Sequence, residues 1–112
     1  MPKINSRNKG SQGERELAGK LKEHGYDESR RTQQFCGKGG DSADVIGLDG
    51  IHIECKRVEK LNIDNAMVQA SDDHKPTTKP AVFHRKNRKP WMVTMLLDDW
   101  MELYKGWRKN DV

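Results

Sequence analysis

Two acidic residues and a lysine in the middle of the chain have the types and spacing needed for phosphodiester hydrolysis. Asp44 lies in the run Ala43-Asp44-Val45-Ile46, and Glu54 and Lys56 follow in Ile53-Glu54-Cys55-Lys56. Side chains two positions apart on a strand lie on the same face, so Glu54 and Lys56 project together. Carboxylates bind Mg²⁺, which neutralises phosphate oxygens, and a neighbouring lysine can orient or help to deprotonate the attacking water.

The spacing of Glu54 and Lys56 does not by itself establish a catalytic site. With each charged residue type at about 6% usage, a chain of this length contains a Glu-x-Lys triplet by chance about four times in ten. The alternative is an exposed strand face on which the two side chains form a surface ion pair of little energetic value. The surrounding pattern favours catalysis, because a helix with a carboxylate on its apolar face, an Asp-bearing strand and a glycine turn precede the triplet.

Glu14 is a further candidate because it lies on the apolar face of a predicted helix. At about 100° per residue, three apolar side chains of this helix fall within about 60° of Glu14, whereas Glu16 lies on the opposite side. A carboxylate among buried side chains needs a partner, and a metal site would provide one. The alternative is a capping box, in which Glu14 folds back onto the backbone N–H of Ser11.

The chain is predicted to form one α/β domain with the element order αβββαββα. At 112 residues it is near the lower size limit for a single hydrophobic core. Residues 1–10 are polar and basic and are expected to form a flexible arm, and residues 35–40 a glycine-rich loop. Apolar periodicity predicts helices at 11–24, from Ile63 to Ala70, and around Trp100 to Tyr104, the last of them capped by Asp98 or Asp99. Alternation and turn residues predict a strand between Tyr26 and Gln34 and further strands at 43–47, 51–57, 81–84 and 91–95.

The turn between the two central strands decides whether Asp44 and Glu54 share a face. A two-residue turn at Asp49-Gly50 would pair Asp44 with Cys55 and separate the two carboxylates. A three-residue loop at 48–50, with Gly50 in the left-handed region, pairs Asp44 with Glu54 instead. We therefore predict this loop, with Gly50 at positive φ, or an equivalent bulge. The residues that then share the catalytic face are Asp44, Ile46, His52, Glu54 and Lys56.

Three segments resemble the motifs of the PD-(D/E)xK nuclease superfamily and, within it, the archaeal and phage Holliday junction resolvases. They are Lys9-Gly10-Ser11-Gln12-Gly13-Glu14-Arg15-Glu16-Leu17, Asp44-Val45-Ile46-Gly47 and Ile53-Glu54-Cys55-Lys56, with Ala43 where the family name has Pro. The resemblance covers about the first half of the chain. It implies a restriction-endonuclease-like core, in which helices flank a mixed central sheet. It also implies Mg²⁺-dependent hydrolysis of DNA, with Mn²⁺ able to substitute.

The resemblance implies roles for individual residues as well. Glu14, Asp44, Glu54 and Lys56 would be catalytic, with the three carboxylates holding the metal. Gln69 resembles a glutamine that some relatives carry on the helix after the catalytic strand, although such a residue is more often a polar flank. A homodimer that cuts two strands of branched DNA is expected. The alternatives are the same chemistry on flaps, nicks or duplex DNA, and a DNA-binding module of this fold without catalysis.

The basic residues indicate a polyanionic partner. The formal net charge is +4, and four of the five residues at 85–89 are cationic. This run could be an ordinary solvated turn, but four cations beside the aromatic Trp91 favour contact with DNA phosphates. The predicted DNA contacts are Lys9, Arg30, Arg31, Lys38, Arg85, Lys86, Arg88 and Lys89.

The low apolar content predicts self-association. About a third of the residues are hydrophobic and about a third charged, which indicates a thin core. Three tryptophans lie in the last quarter of the chain. We expect some of Trp91, Trp100 and Trp107 to be buried against a second copy in a two-fold dimer.

Other candidate sites are less well supported. Asp41 could replace Asp44 as a metal ligand, but aspartates in loops mostly form turns. His52, His74 and His84 are scattered along the sequence, which argues against a zinc site.

The cysteines and the distribution of apolar residues indicate where in the cell the protein is located. Cys36 and Cys55 lack the spacing of a zinc site or a disulfide framework and are expected to be reduced thiols. The N-terminal residues have no apolar core of a signal peptide, and no apolar run approaches membrane-spanning length. We expect a cytoplasmic protein that does not bind membranes, located in the host cytoplasm if a phage encodes it.

Overall fold

The described residues form an α/β fold with the predicted element order αβββαββα. A computed structural model describes residues 6–32 and 43–110, with side chains from Gly10 onward. The predicted glycine-rich loop, with Cys36, Lys38 and Asp41, lies outside these residues. The helices are α1 (Ser6–Glu23), α2 (Ile63–Asp73) and α3 (Leu97–Asn110), and the strands are β1 (Arg30–Arg31), β2 (Val45–Ile46), β3 (Ile51–Arg57), β4 (Lys79–Arg85) and β5 (Met92–Met95).

The described strands form a single mixed sheet, as predicted, in the spatial order β1-β2-β3-β4-β5. Neighbouring strands are antiparallel except for β3 and β4, which are parallel. A parallel pair needs a long crossover connection, and α2 supplies it here. In this pairing Glu54 lies beside Val82 and Lys56 beside His84. The carboxyl ends of β3 and β4 therefore lie at the same edge of the sheet.

The sheet is covered by one helix on each face, which gives two small apolar clusters. On one face α1 packs Leu17, Ala18 and Leu21 against alternate residues of β2, β3 and β4, including Val45 and Ile53. On the other face α2 packs Ala66 and Ala70 against Val82. Glu54, in register with Val82, lies on the α2 face and is buried. Strand alternation thus places a carboxylate inside the second layer of the core.

The hairpin between β2 and β3 has the predicted three-residue loop. Val45 pairs with Ile53, which leaves residues 48–50 as the loop, and the backbone N–H of Asp44 donates to the carbonyl oxygen of Ile53 at 2.9 Å. The backbone N–H of Ile51 donates to the carbonyl oxygen of Leu48 at 3.1 Å. Gly50 has a φ of 87°, in the left-handed region that glycine adopts without a steric penalty. The predicted three-residue loop with Gly50 at positive φ is therefore present, and Glu54 is near enough to Asp44 to raise its pKa.

Two helices begin earlier than predicted. α1 starts at Ser6 rather than at residue 11, so residues 6–10 are helical and do not belong to a flexible arm. Ser11 is therefore inside the helix and cannot be its N-cap, which removes the capping-box interpretation of Glu14. α3 starts at Leu97, so Asp98 and Asp99 lie in its first turn and neither is its N-cap. Their negative charges there interact favourably with the helix dipole.

Candidate active site

Asp44 and Glu54 form a carboxylate pair at the junction of β2 and β3. The backbone N–H of Cys55 donates to Asp44 Oδ2 at 2.8 Å, which fixes the Asp44 side chain against β3. Glu54 is 2% exposed, and its Oε1 atom has no hydrogen-bond partner among the described residues. A buried carboxylate oxygen without a partner is costly, so it indicates a ligand that the protein chain does not itself provide.

The electrostatics of the pair favour the binding of a proton or a cation. Burial, and next the nearby carboxylate of Glu54, raise the pKa of Asp44 from 3.8 to about 7. Burial, and next the charge of Asp44, raise the pKa of the Cys55 thiol, so this thiol stays protonated at neutral pH. Cys55 is a free, buried cysteine, in agreement with the expectation of a reduced thiol.

Asp44 and Glu54 fit a divalent cation as a pair. Mg²⁺ is commonly held by one or two carboxylates, keeps several waters and takes further oxygens from a substrate phosphate. The buried, unpartnered oxygen of Glu54 is of the right chemical type. Within residues 6–32 and 43–110, however, no three His, Cys, Asp or Glu side chains lie close enough together to hold a metal ion. The predicted set of three carboxylates is therefore not assembled by the described residues.

Lys56 lies beside the carboxylate pair, as strand alternation predicted. Its Nζ atom is 4.0 Å from Glu54 Oε2 and donates a hydrogen bond to Gln69 Oε1 at 3.3 Å. Gln69 is on α2, so this helix holds the ammonium group from the layer above the sheet. The sequence-based candidate Gln69 is thus brought to the site through Lys56.

Glu14 reaches the same region from α1, but it is paired with Arg31. The Arg31 Nε atom donates to Glu14 Oε1 at 3.2 Å, and its terminal nitrogen donates to Ser11 Oγ at 3.0 Å. The charge of Glu14 contributes to the raised pKa of Asp44, so the two carboxylates interact electrostatically. Arg31, predicted as a DNA contact, is half-buried and serves this pair instead.

The other predicted DNA contacts lie in different environments. Arg85 pairs with Glu16 on the α1 face and donates to the carbonyl oxygen of Lys89 at 2.6 Å, so its guanidinium is used within the fold. The side chains of Lys9 and Lys38 lie outside the described residues. The predicted contacts that are exposed are Arg30, Lys86, Arg88 and Lys89.

Two histidines adjoin the site, although the sequence analysis gave neither of them a role in it. His52 is buried, and its Nε2 atom lies 3.5 Å from Glu54 Oε1 without forming a hydrogen bond to it. His84 lies beside Lys56 in the parallel pair and its Nε2 atom is 2.9 Å from Thr94 Oγ1. Alternation already placed His52 on the face of Glu54. No local pattern indicated His84, because its position depends on the pairing of β3 with β4.

Among the described residues, no helix is both long enough and apolar enough to cross a membrane.

Comparison with known proteins places the chain in a family. A family model described as "Phage putative PDDEXK endonuclease" matches residues 5–112, nearly the whole chain. No curated protein and no solved structure matches it. The three helices and five-stranded mixed sheet of the described residues are compatible with a restriction-endonuclease-like core. The chain therefore belongs to the family of phage PD-(D/E)xK endonucleases, and it is a nuclease of that type.

Proposed function

We propose that this protein is a metal-dependent DNA endonuclease in which Asp44 and Glu54 hold Mg²⁺ and Lys56 assists the hydrolysis. The proposal rests on the carboxylate pair of Asp44 and Glu54, in which Glu54 is buried and has the Lys56 ammonium group 4.0 Å away. Two carboxylates held together in a low-dielectric site repel each other, and a hard divalent cation offsets that repulsion. Mn²⁺, which also takes oxygen ligands, is expected to substitute.

Each residue of the site has a separate part in this proposal. Asp44 and Glu54 would hold the cation, which would offset the negative charge of the scissile phosphate. Lys56 offsets charge that develops on the phosphate and orients the attacking water, and Gln69 holds its ammonium in place. Glu14 forms an ion pair with Arg31 and does not hold the cation in this proposal. Its negative charge contributes to the raised pKa of Asp44.

The test is cleavage of labelled DNA in Mg²⁺ by single-site variants. Asp44→Ala, Glu54→Ala and Lys56→Ala should abolish cutting but leave DNA binding in place, because binding depends on exposed cations. Asp72→Ala, which removes an exposed carboxylate on α2, is the matched control and should cut like the parent. Full cutting by Asp44→Ala or Glu54→Ala would refute the site. Binding without cutting by the parent itself, in Mg²⁺ and in Mn²⁺, would favour the alternative of a catalytically inactive DNA-binding module.

We further propose branched DNA, most specifically a Holliday junction, as the substrate. The resemblance of the motifs to junction resolvases supports this, and so does the placement of exposed cations on the turn between β4 and β5, where they can contact phosphates without reading bases. Cleavage of a synthetic four-way junction beside flap, nicked and duplex DNA, each with Mg²⁺ or EDTA, tests the choice. Equal cutting of plain duplex would exclude structure selectivity.

A two-fold dimer is the proposed working form. No side chain of α3 is buried, although apolar residues recur along one side of this helix. Trp100 and Tyr104 stack on each other with ring centroids 5.4 Å apart, and both remain exposed. A 14-residue helix without a packed face is marginal in water, so a second copy covering it would account for its formation. Trp91, by contrast, packs on the core beneath α1 of its own chain.

A further inference from the structure

A cleft of about 530 Å³ opens at the carboxyl ends of β3 and β4, on the same face of the sheet as Glu54 and Lys56. It lies between the start of α2 and the turn that joins β4 to β5. Its volume is within the range of about 300 to 1,000 Å³ that holds small organic ligands. His84, which lines the cleft, is the direct neighbour of Lys56 in the parallel pair. Because paired strands lie about 4.8 Å apart, the cleft begins one strand spacing from Lys56.

The lining of the cleft combines an apolar floor with a cationic rim. The floor includes Leu61, Ile63 and Met92, and the rim includes Lys60, Lys86 and Lys89. The three rim lysines form no ion pair with another described residue. The flat face of a nucleobase packs well on aliphatic and thioether side chains, whereas its phosphate requires cations.

The other charged residues of the lining are occupied within the fold. Glu59 accepts the backbone N–H of Asn87 at 2.6 Å and lies 4.0 Å from the Arg57 guanidinium. Arg85 is paired with Glu16. These contacts balance one negative and one positive charge, so the three lysines dominate the potential of the cleft. The cleft thus has the charge complementary to a polyanion.

We infer that this cleft binds one unpaired nucleotide next to the scissile phosphate, with the base on the apolar floor and the phosphate on the rim lysines. The inference rests on the proposed nuclease function and deepens it. A base inside a continuous duplex is stacked and paired, and moving it into a pocket costs a few kcal/mol. At a branch point, a nick or a flap this cost is smallest. The cleft therefore selects DNA whose strand is interrupted or branched beside the cut.

His84 contributes a polar group to the inner wall of the cleft. Its Nε2 atom is engaged with Thr94 Oγ1, which fixes the orientation of the ring. The remaining ring nitrogen, Nδ1, can then exchange a hydrogen bond with the base. A single such contact, together with an apolar floor, accommodates different bases, so the cleft favours unpaired structure over a particular sequence.

The experiment compares intact and abasic DNA in a binding cycle. The cut position is first mapped on a junction and on a flap. Single abasic residues are then placed at the nucleotides flanking it, and affinity is measured by fluorescence anisotropy with Ca²⁺ in place of Mg²⁺. For the parent protein, the abasic residue at one flanking position should weaken binding about tenfold, as loss of one stacked base does. Equal affinity for abasic and intact DNA at every flanking position would overturn the inference.

A matched pair of variants tests whether the lost contact lies in the cleft. Met92 and Val93 are neighbours on β5 with nearly equal exposure, 52% and 53%, but Met92 lines the cleft and Val93 does not. Met92→Trp fills the cleft and should bind intact and abasic DNA equally, whereas Val93→Trp should keep the tenfold difference. A difference that survives in Met92→Trp, with native circular dichroism, would overturn the inference. Failure of the proposed nuclease function would be distinguishable from failure of this inference, because it would appear as an absence of DNA cutting in Mg²⁺.

Discussion

At the scale of single residues, Asp44 is the carboxyl group of the site whose pKa the fold raises to near neutrality. Its pKa is raised from 3.8 to about 7, first by burial and then by Glu54. The folded protein therefore binds a proton at Asp44 more tightly than the unfolded chain does. The stability contributed by this proton is complete below about pH 4 and is lost as the pH rises through about 7.

We expect the free energy of unfolding of the metal-free protein to fall by about 4 kcal/mol between pH 4 and pH 8 because of Asp44. Asp44→Asn keeps an oxygen for the Cys55 N–H but cannot ionise, so this variant should lack that fall and be more stable than the parent at pH 8. Urea denaturation across this pH range measures the difference. Mg²⁺ at pH 8 should stabilise the parent and leave Asp44→Asn unchanged; equal stabilisation of both would count against cation binding at Asp44.

Arg88 carries backbone strain on the exposed basic turn. Its φ is 62°, and the turn is closed by a hydrogen bond from the Lys89 N–H to the carbonyl oxygen of Lys86 at 3.2 Å. A side chain in the left-handed region costs about 1 kcal/mol or more. Such strain is commonly retained where the side chain has a function.

Replacing Arg88 should therefore separate stability from DNA binding. Arg88→Gly should unfold at a higher temperature, since it removes strain of about 1 kcal/mol. It should also bind all DNA shapes more weakly, with a salt dependence of log Kd that is smaller by about one unit. Arg88→Asn, which tolerates the same backbone conformation, is the control and should show the same two effects. An unchanged salt slope in both variants would mean that the turn is merely solvated.

At the scale of elements, the close approach of α1 to β3 brings Glu14 toward the carboxylate pair. A side chain at Gly13 would place its Cβ atom 2.5 Å from the Cβ atom of Arg57. Glycine normally weakens the middle of a helix by about 1 kcal/mol relative to alanine. Here its small size permits the contact between helix and strand, so the next residue, Glu14, can act on Asp44.

Gly13→Ala should destabilise the protein by about 1 to 3 kcal/mol, because the added methyl group pushes α1 away from β3. It should also reduce cleavage, since Glu14 moves with the helix. Gly19→Ala is a matched control on the same helix, because a Cβ atom there meets nothing within 4 Å. This control should be more stable than the parent by about 1 kcal/mol. Thermal unfolding of both variants and their cleavage rates give the comparison; a stabilised Gly13→Ala would show that the contact can relax.

The elements also show how far the sequence determines the site. Alternation along β3 and the parity of the loop at 48–50 predicted that Asp44, Glu54 and Lys56 would come together. The start of α1 was not predictable, because residues 6–10 lack apolar periodicity and the Ser11-x-x-Glu14 pattern resembles a cap even inside a helix. The contacts of His84 with β3 and of Arg85 with Glu16 join distant segments through parallel pairing and tertiary packing, which no local pattern encodes.

At the scale of the whole molecule, the exposed face of α3 sets the expected assembly. Contiguous apolar surface of this kind typically marks an interface. The residues of α3 that form it are Leu97, Trp100, Leu103, Tyr104 and Trp107.

A charge on this face should dissociate the proposed dimer. We expect the parent to sediment as a dimer at micromolar concentration and Leu103→Glu to sediment as a monomer, because the buried charge would have no partner. Lys105→Glu introduces the same side chain on the polar side of α3 and should remain dimeric. A parent that sediments as a monomer both with and without junction DNA would exclude the dimer.

The raised pKa of Asp44 also has a calorimetric consequence. Near pH 7 the carboxyl group carries a proton in about half of the molecules, so a cation that occupies the pair must displace that proton into the buffer. The measured heat of cation binding then includes the ionisation enthalpy of the buffer. Titrations at pH 6.5 in PIPES and in imidazole, which buffer there and differ in ionisation enthalpy, should give different heats for the same affinity. Two buffers chosen in the same way for pH 9 should give equal heats, because Asp44 has already lost its proton there.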